Sequence, residues 1–272
     1  MKKYPIGFNS FLKNERTNET PVIENPVSAE ARKSVVEVYF PSRNMHFTYY
    51  NDMFDLKNGD LVYVDGKLEG HMGYVMDISY SFKIKIADYK KVIAVADTKV
   101  KGDLFSAGSY MVSFGENVIP ANKVRSWFIP PQNEEEYATG NDETSSFSLD
   151  DLSGMNIKKE VAERGHDYYI NDRILYICID GSRGFAIVQG TENYEVEFNF
   201  DYDAREIGNI KCSCFCSGAC KHEFAAMLLL CELLDLIGEE YENEFTGYFA
   251  SVSKDVFANL VLKKDNIKIS IS

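Results

Sequence analysis

The sequence of 272 residues holds one tryptophan, seven prolines and four histidines. It has no run near the roughly 20 apolar residues that a membrane span needs. The longest candidate, Phe224 to Leu234, is short and broken by Glu232. Two lysines at the start are followed by Pro5, Asn9 and Ser10, where the apolar core of a signal peptide would stand. A cytoplasmic protein without a membrane partner is therefore expected. Catalytic signatures are also missing: there is no GxSxG, no HExxH, no paired-carboxylate motif and no GxxxxGK[ST] phosphate loop. No enzyme is expected, and a hydrolase with an unrecognised site has no motif behind it. Positive charge is scarce in one half. Residues 1–130 carry 17 basic and 15 acidic residues, whereas residues 131–272 carry 12 and 27. A surface that acidic repels phosphate, so general charge attraction to nucleic acid is disfavoured there.

What is present suffices for a folded core, with 45% hydrophobic and 26% charged residues. Residues 1–33 are polar and read as a flexible arm. From Val35 the texture changes to short runs rich in Val, Ile, Tyr and Phe: VVEVYF, HFTYY, LVYVDG, YVMDI, FKIKIADY and VIAVAD. Turn signals at Asn58-Gly59-Asp60 and Asp65-Gly66 separate some of them, which predicts a small β-barrel over 34–131. The stretch LKNGDLVYVDGKLEGHMGYVMDIS has the pattern of an SH3-like or related barrel. Residues 132–151 hold seven acids and little that is apolar, and read as an acidic linker.

The second domain, 152–238, opens with a helical pattern ending near Arg164 and continues with RILYICID, RGFAIVQG and YEVEFNFD, each of strand texture. Asp180-Gly181 and Gly190-Thr191 are placed as hairpin turns. An apolar helix from about Glu223 to Ile237 follows, with Gly238 positioned to cap it. In the tail, 239–272, Phe249, Val252, Val256, Phe257 and Leu260 fall at helical spacing. A helical tail is expected there, with NIKISIS able to add a strand.

Six cysteines are present, and Cys212, Cys214, Cys216 and Cys220 fall within nine residues, just before His222. A disulfide scaffold spreads its cysteines as staples, so this clustering points to a metal site in a reducing compartment. Cys212-Ser-Cys214 and Cys220-Lys-His222 form two ligand pairs five residues apart. Alternate positions of an extended segment point to one side, so each pair can grip one ion. Three thiolates and one imidazole fill the tetrahedron that Zn²⁺ prefers and leave no position for a catalytic water. Buried free cysteines are the alternative. Spacing alone also leaves Cys216 as a fifth candidate, although Ser217 and Gly218 place it in the connecting loop.

Cys212-x-Cys214 followed by Cys220-x-His222, with CKHEFAAMLLL running into an apolar helix, resembles a SWIM zinc finger. ERGHDYYINDRI at 163–174 is similar to the helix-to-strand segment that precedes this finger in bacterial proteins. The resemblance covers roughly residues 155–237. It implies a ββα finger with a structural zinc and a role in binding DNA or other proteins. Some members are linked to helicase-like ATPases, so a separate ATPase chain is one protein partner it implies.

Lys83, Lys85, Lys90, Lys91, Lys99 and Lys101 fall within nineteen residues, beside Tyr80, Phe82 and Tyr89. Basic grooves with stacking aromatics bind single strands, so Lys83, Lys85, Lys90 and Lys91 are candidate nucleic-acid contacts. A solvated sheet face is the plainer reading, since lysines blunt exposed strands. Lys83 and Lys85 alternate and are expected on one face. His46, His71 and His166 have no ligand-spaced neighbours, and Arg164 is expected to bond helix carbonyls. Taken together, an α+β protein is expected: a small barrel, an acidic linker, a zinc-stapled α+β domain with a small antiparallel sheet, and a helical tail. The expected function is a zinc-binding accessory factor contacting nucleic acid. The alternative is a protein–protein adaptor whose acidic C-terminal half docks a basic partner.

Overall fold

The structure, a computed structural model, describes residues 31–131 and 146–262. Residues up to 30 of the expected arm (1–33), residues 132–145 of the expected linker (132–151) and the NIKISIS segment lie outside the described residues; the linker's Ser146–Ser148 form a strand. Two units are formed, one from residues 31–98 with 125–131 and the other from residues 99–124 with 146–262.

The first unit is a five-stranded antiparallel sheet of β1 (Ser34–Phe40), β2 (Met45–Asn51), β3 (Leu61–Val64), β4 (Met72–Ser79) and β5 (Val92–Ala96). The strand order is β2-β1-β4-β3-β5. Alternation in VVEVYF places Val36, Val38 and Phe40 inward and Glu37 outward. These three pack with Tyr49, Leu56, Val62, Val64, Val75 and Val92 into one core. The other face of β3 is buried too, and Trp127 of helix α1 (Ala121–Phe128) is fully enclosed, its Nε1 donating to Asp97 O at 2.7 Å.

The expected closed barrel is not formed. The two edge strands, β2 and β5, meet only at one parallel bridge, Tyr50 to Lys91. The run FKIKIADY, read as a strand, has no ladder; it is irregular, with a 3-10 turn at Ile86–Asp88. Alternation sorts side chains to two sides, but a strand is made by ladder hydrogen bonds to a neighbour, and this segment forms no ladder. Its Phe82 instead lies edge-on to Tyr50, at 6.2 Å between ring centroids.

The second unit is an eight-stranded antiparallel sheet in the order β6-β7-β13-β9-β10-β11-β12-β8. Its strands are β6 (Phe105–Ala107), β7 (Tyr110–Ser113), β8 (Ser146–Ser148), β9 (Ile174–Asp180), β10 (Arg183–Gln189), β11 (Asn193–Asp201), β12 (Glu206–Cys212) and β13 (Tyr248–Ser253). The turns at Asp180-Gly181 and Gly190-Thr191 join β9, β10 and β11 into a meander, as the sequence predicts. Helix α2 (Lys159–Ile170) and helix α3 (Lys221–Glu240) pack together, and Ala226, Leu229, Leu230 and Leu233 of α3 share a core with Ile177, Val188, Val196 and Phe198 of the sheet.

The α+β expectation is thus corrected to a mostly β chain of two antiparallel sheets, with four helices among the described residues. Two strands of the larger sheet, β6 and β7, come from the region read as the first domain. The tail is corrected as well. Residues 248–253 form β13 between β7 and β9, and among the described residues that follow, helix is confined to one turn, α4 (Lys254–Phe257), and a π-helical turn at Ala258–Leu262. All six residues of β13 are buried. A strand covered on both faces shows no alternation; Phe249 and Val252 fit helical spacing by coincidence, whereas Val256, Phe257 and Leu260 lie in the two helical turns. No helix among the described residues is long and apolar enough to cross a membrane.

Candidate metal centre

Strand β12 ends at Cys212, and a loop carries Cys214 and Cys216 to Cys220, the N-cap of α3. Ser213 fastens the start of this loop to β11. Its Oγ accepts from Glu195 N at 2.9 Å, and its own N–H donates to Glu195 O at 2.9 Å. At the helix start, Cys220 Sγ accepts from Glu223 N at 3.4 Å, and Glu223 Oε2 accepts from Cys220 N at 2.8 Å. This reciprocal capping box satisfies two helix-end donors and fixes where the first turn begins. His222 then lies in that turn with Cys220 beside it.

The ring of His222 is held by stacking on Tyr194, at 4.3 Å and 21°, and by an edge contact with Tyr168 at 5.5 Å. Its Nδ1 faces Cys212 Sγ at 3.7 Å and Cys220 Sγ at 3.8 Å. One ligand atom from each of Cys212, Cys214, Cys220 and His222 lies within 4.8 Å of the others. A tetrahedral zinc with its usual bond lengths places its ligands roughly 3.5–3.8 Å apart. The four residues therefore fit a metal ion. Cys220 and His222 are buried, and Cys212 and Cys214 are half-buried.

Electrostatics point the same way. Hydrogen bonds from the Cys212 and Cys220 thiols hold the Cys214 thiol well below its ordinary range. Its bond to Cys214, then that to Cys220 and burial, push Cys212 far up. Three sulfurs this close cannot all ionise by themselves, because each thiolate raises the cost of the next. A divalent cation reverses that balance and allows three thiolates together.

No protein-family model, no curated protein and no solved structure matches the chain.

Sequence spacing and structure converge on the same four residues. Cys216 is exposed and outside the cluster, although a hydrogen bond with Cys214 raises its pKa. The other cysteines are distant in role: Cys178 is buried in β9, and Cys231 lies beside Arg205 Nη2 at 3.8 Å. Arg164 Nε donates to Glu160 O at 3.2 Å, the helix-carbonyl bond expected of it, though α2 continues past it to Ile170. His46 instead faces Glu37, with Nδ1 to Oε1 at 3.3 Å.

The four lysines do not form one strand face. Lys83 and Lys85 are exposed on the irregular segment, and Lys90 is exposed with its alkyl stem against Gly66. Lys91 Nζ is engaged by Asp52 Oδ2 at 2.8 Å. Sequence reasoning missed the aromatic clamp on His222. Tyr194 sits in a run read only as strand, and nothing in its local pattern marks it as a neighbour of the helix start. The fully exposed Phe215, between two cysteines of the loop, was also missed.

Proposed function

We propose that the chain is a zinc-binding, non-enzymatic interaction protein whose Cys3His centre is a structural SWIM-type finger. The observation that carries this reading is the convergence of the four donor atoms within 4.8 Å. Three thiolates and one imidazole complete a tetrahedron, so the ion has no open position for substrate or activated water. The donors come from the end of β12, the loop and the start of α3, so the ion ties a strand end to a helix. That is a stapling role, and its free energy is folding free energy.

The partner in this reading is a basic protein. Residues 131–272 carry 27 acidic against 12 basic residues, and of the candidate nucleic-acid contacts Lys91 is already held by Asp52. Nucleic acid is the second reading. It is favoured by the exposure of Lys83, Lys85 and Lys90, in the stretch that follows Tyr80, whose part-exposed ring carries Arg32 Cζ at 4.3 Å.

Elemental analysis of the purified chain is expected to find one zinc per chain, and cobalt substitution to give the visible spectrum of a tetrahedral thiolate site. Anisotropy with labelled DNA and RNA at two salt concentrations decides the partner. Little binding at either salt is expected. Tight binding that collapses as salt rises would replace the basic-protein reading with phosphate contacts at Lys83, Lys85 and Lys90.

A further inference from the structure

The far end of α3 is electrostatically unbalanced. Carbonyls without helical partners give a helix C-terminus partial negative charge, and cations belong there. The last turn of α3 has no basic residue. Glu239 and Glu240 close the helix, and Glu242 and Glu244 follow, all exposed. The nearby Arg205 is already committed, with Nε 2.7 Å from Asp150 Oδ1 and Nη2 3.2 Å from Asp235 Oδ1.

Against this helix end lies a cavity of about 350 Å³, lined by Tyr202, Ile237, Gly238, Glu242, Phe245 and Gly247. Buried Ile237 contributes an apolar wall. The rings of Tyr202 and Phe245 are 5.1 Å apart at 37°, and Tyr202 is 52% exposed despite its size. Gly238 meets nothing within 4 Å where a Cβ would stand, so the helix backbone is open to an incoming group. Two aromatic rings, one carboxylate and a helix C-terminus are the surroundings that favour a cation with an alkyl stem.

We propose that this cavity receives an arginine side chain of a basic protein partner. This rests on the basic-partner reading above. Arginine fits better than lysine because its planar guanidinium is weakly hydrated, stacks on aromatic rings and can bond a carboxylate through two N–H groups. Its stem would lie along Ile237 and the Tyr202–Phe245 pair, with its head at Glu242 and the last carbonyls of α3.

The test uses the zinc-loaded full chain and short fluorescent Gly-Ser peptides carrying spaced arginines, lysines or glutamates, read by anisotropy. The arginine peptide is expected to bind, the lysine peptide more weakly and the glutamate peptide not at all. Tyr202→Ala and Glu242→Gln are each expected to weaken arginine-peptide binding roughly tenfold. Glu192→Gln, which removes the same charge from an exposed hairpin, is expected to leave it unchanged. Circular dichroism and zinc content confirm that each variant is folded. If Glu192→Gln weakens binding as much as Glu242→Gln does, or Tyr202→Ala binds like the parent, the cavity is overturned while attraction to basic partners stands. If the parent binds no basic peptide, both readings fall.

Discussion

Cys214 is one of the four donors that meet within 4.8 Å, and it comes from the loop rather than from β12 or α3. Replacing it with serine removes one of three thiolates and leaves a tetrahedron short of a ligand. Cys214→Ser is expected to abolish stoichiometric zinc and unfold the eight-stranded unit, a loss of several kcal/mol given the size of structural zinc binding. Cys216→Ser is expected to retain one zinc per chain. Loss of metal on that change would mean that Cys216, not one of the four, completes the shell. Cys178, by contrast, is a buried thiol in β9. Burial above all pushes its thiol up from 9.0 to about 12. The folded state therefore holds that proton more tightly than the unfolded chain does. Its contribution to stability is complete below about pH 9 and is lost as pH rises toward 12. Alkylation at pH 8 is accordingly expected to label Cys216 in the native protein and Cys178 only after denaturant is added. Equal labelling rates would refute the buried-thiol account.

At the scale of elements, the centre depends on how α2 meets α3. Gly165 of α2 lies where a Cβ would stand 2.9 Å from the Lys221 carbonyl and 2.9 Å from the Phe224 ring. Lys221 sits between the ligands Cys220 and His222, so a methyl group here pushes on the turn that presents them. Gly165→Ala is expected to cost about 1–3 kcal/mol and to raise the zinc dissociation constant, measured by competition with a chelator. An unchanged zinc affinity would show that the helix crossing does not set the ligand geometry. The elements also show why some of the fold was legible. In β1, one face is core and the other is solvent, so alternation survives in the sequence as VVEVYF. Residues 212–222 were legible for a different reason: ligand spacing is a short-range property of the chain, and the capping box fixes it locally. The tail was not legible, because β13 is buried on both faces between β7 and β9 and carries no period. The segment at 82–89 alternates without a partner edge, which only the assembled sheet reveals.

For the whole molecule, the hidden information is which strands share a sheet. Phe105–Ala107 and Tyr110–Ser113 follow the first unit's strands in sequence, yet they extend the second unit's sheet through β13, more than a hundred residues later. No local pattern encodes a pairing of that separation, because each partner contributes only a short apolar run. The consequence is a sheet whose halves depend on each other: β13 joins β6 and β7 to the meander, and β12, paired with the meander's β11, delivers the first metal ligand. The five-stranded unit has its own core, built on Val36, Val38, Phe40 and Val62, and none of the four ligands lies in it. Chelation should therefore act on one unit alone. Calorimetry of the zinc-loaded chain is expected to resolve two transitions. A strong chelator is expected to remove or sharply lower the one belonging to the eight-stranded unit and leave the other within a degree or two, since a ligand stabilises only the unit that binds it. Fluorescence of Trp127, enclosed in the five-stranded unit, identifies the transition that should stay. If that emission shifts together with zinc loss, the two cores unfold as one cooperative body, and the metal staples the entire chain.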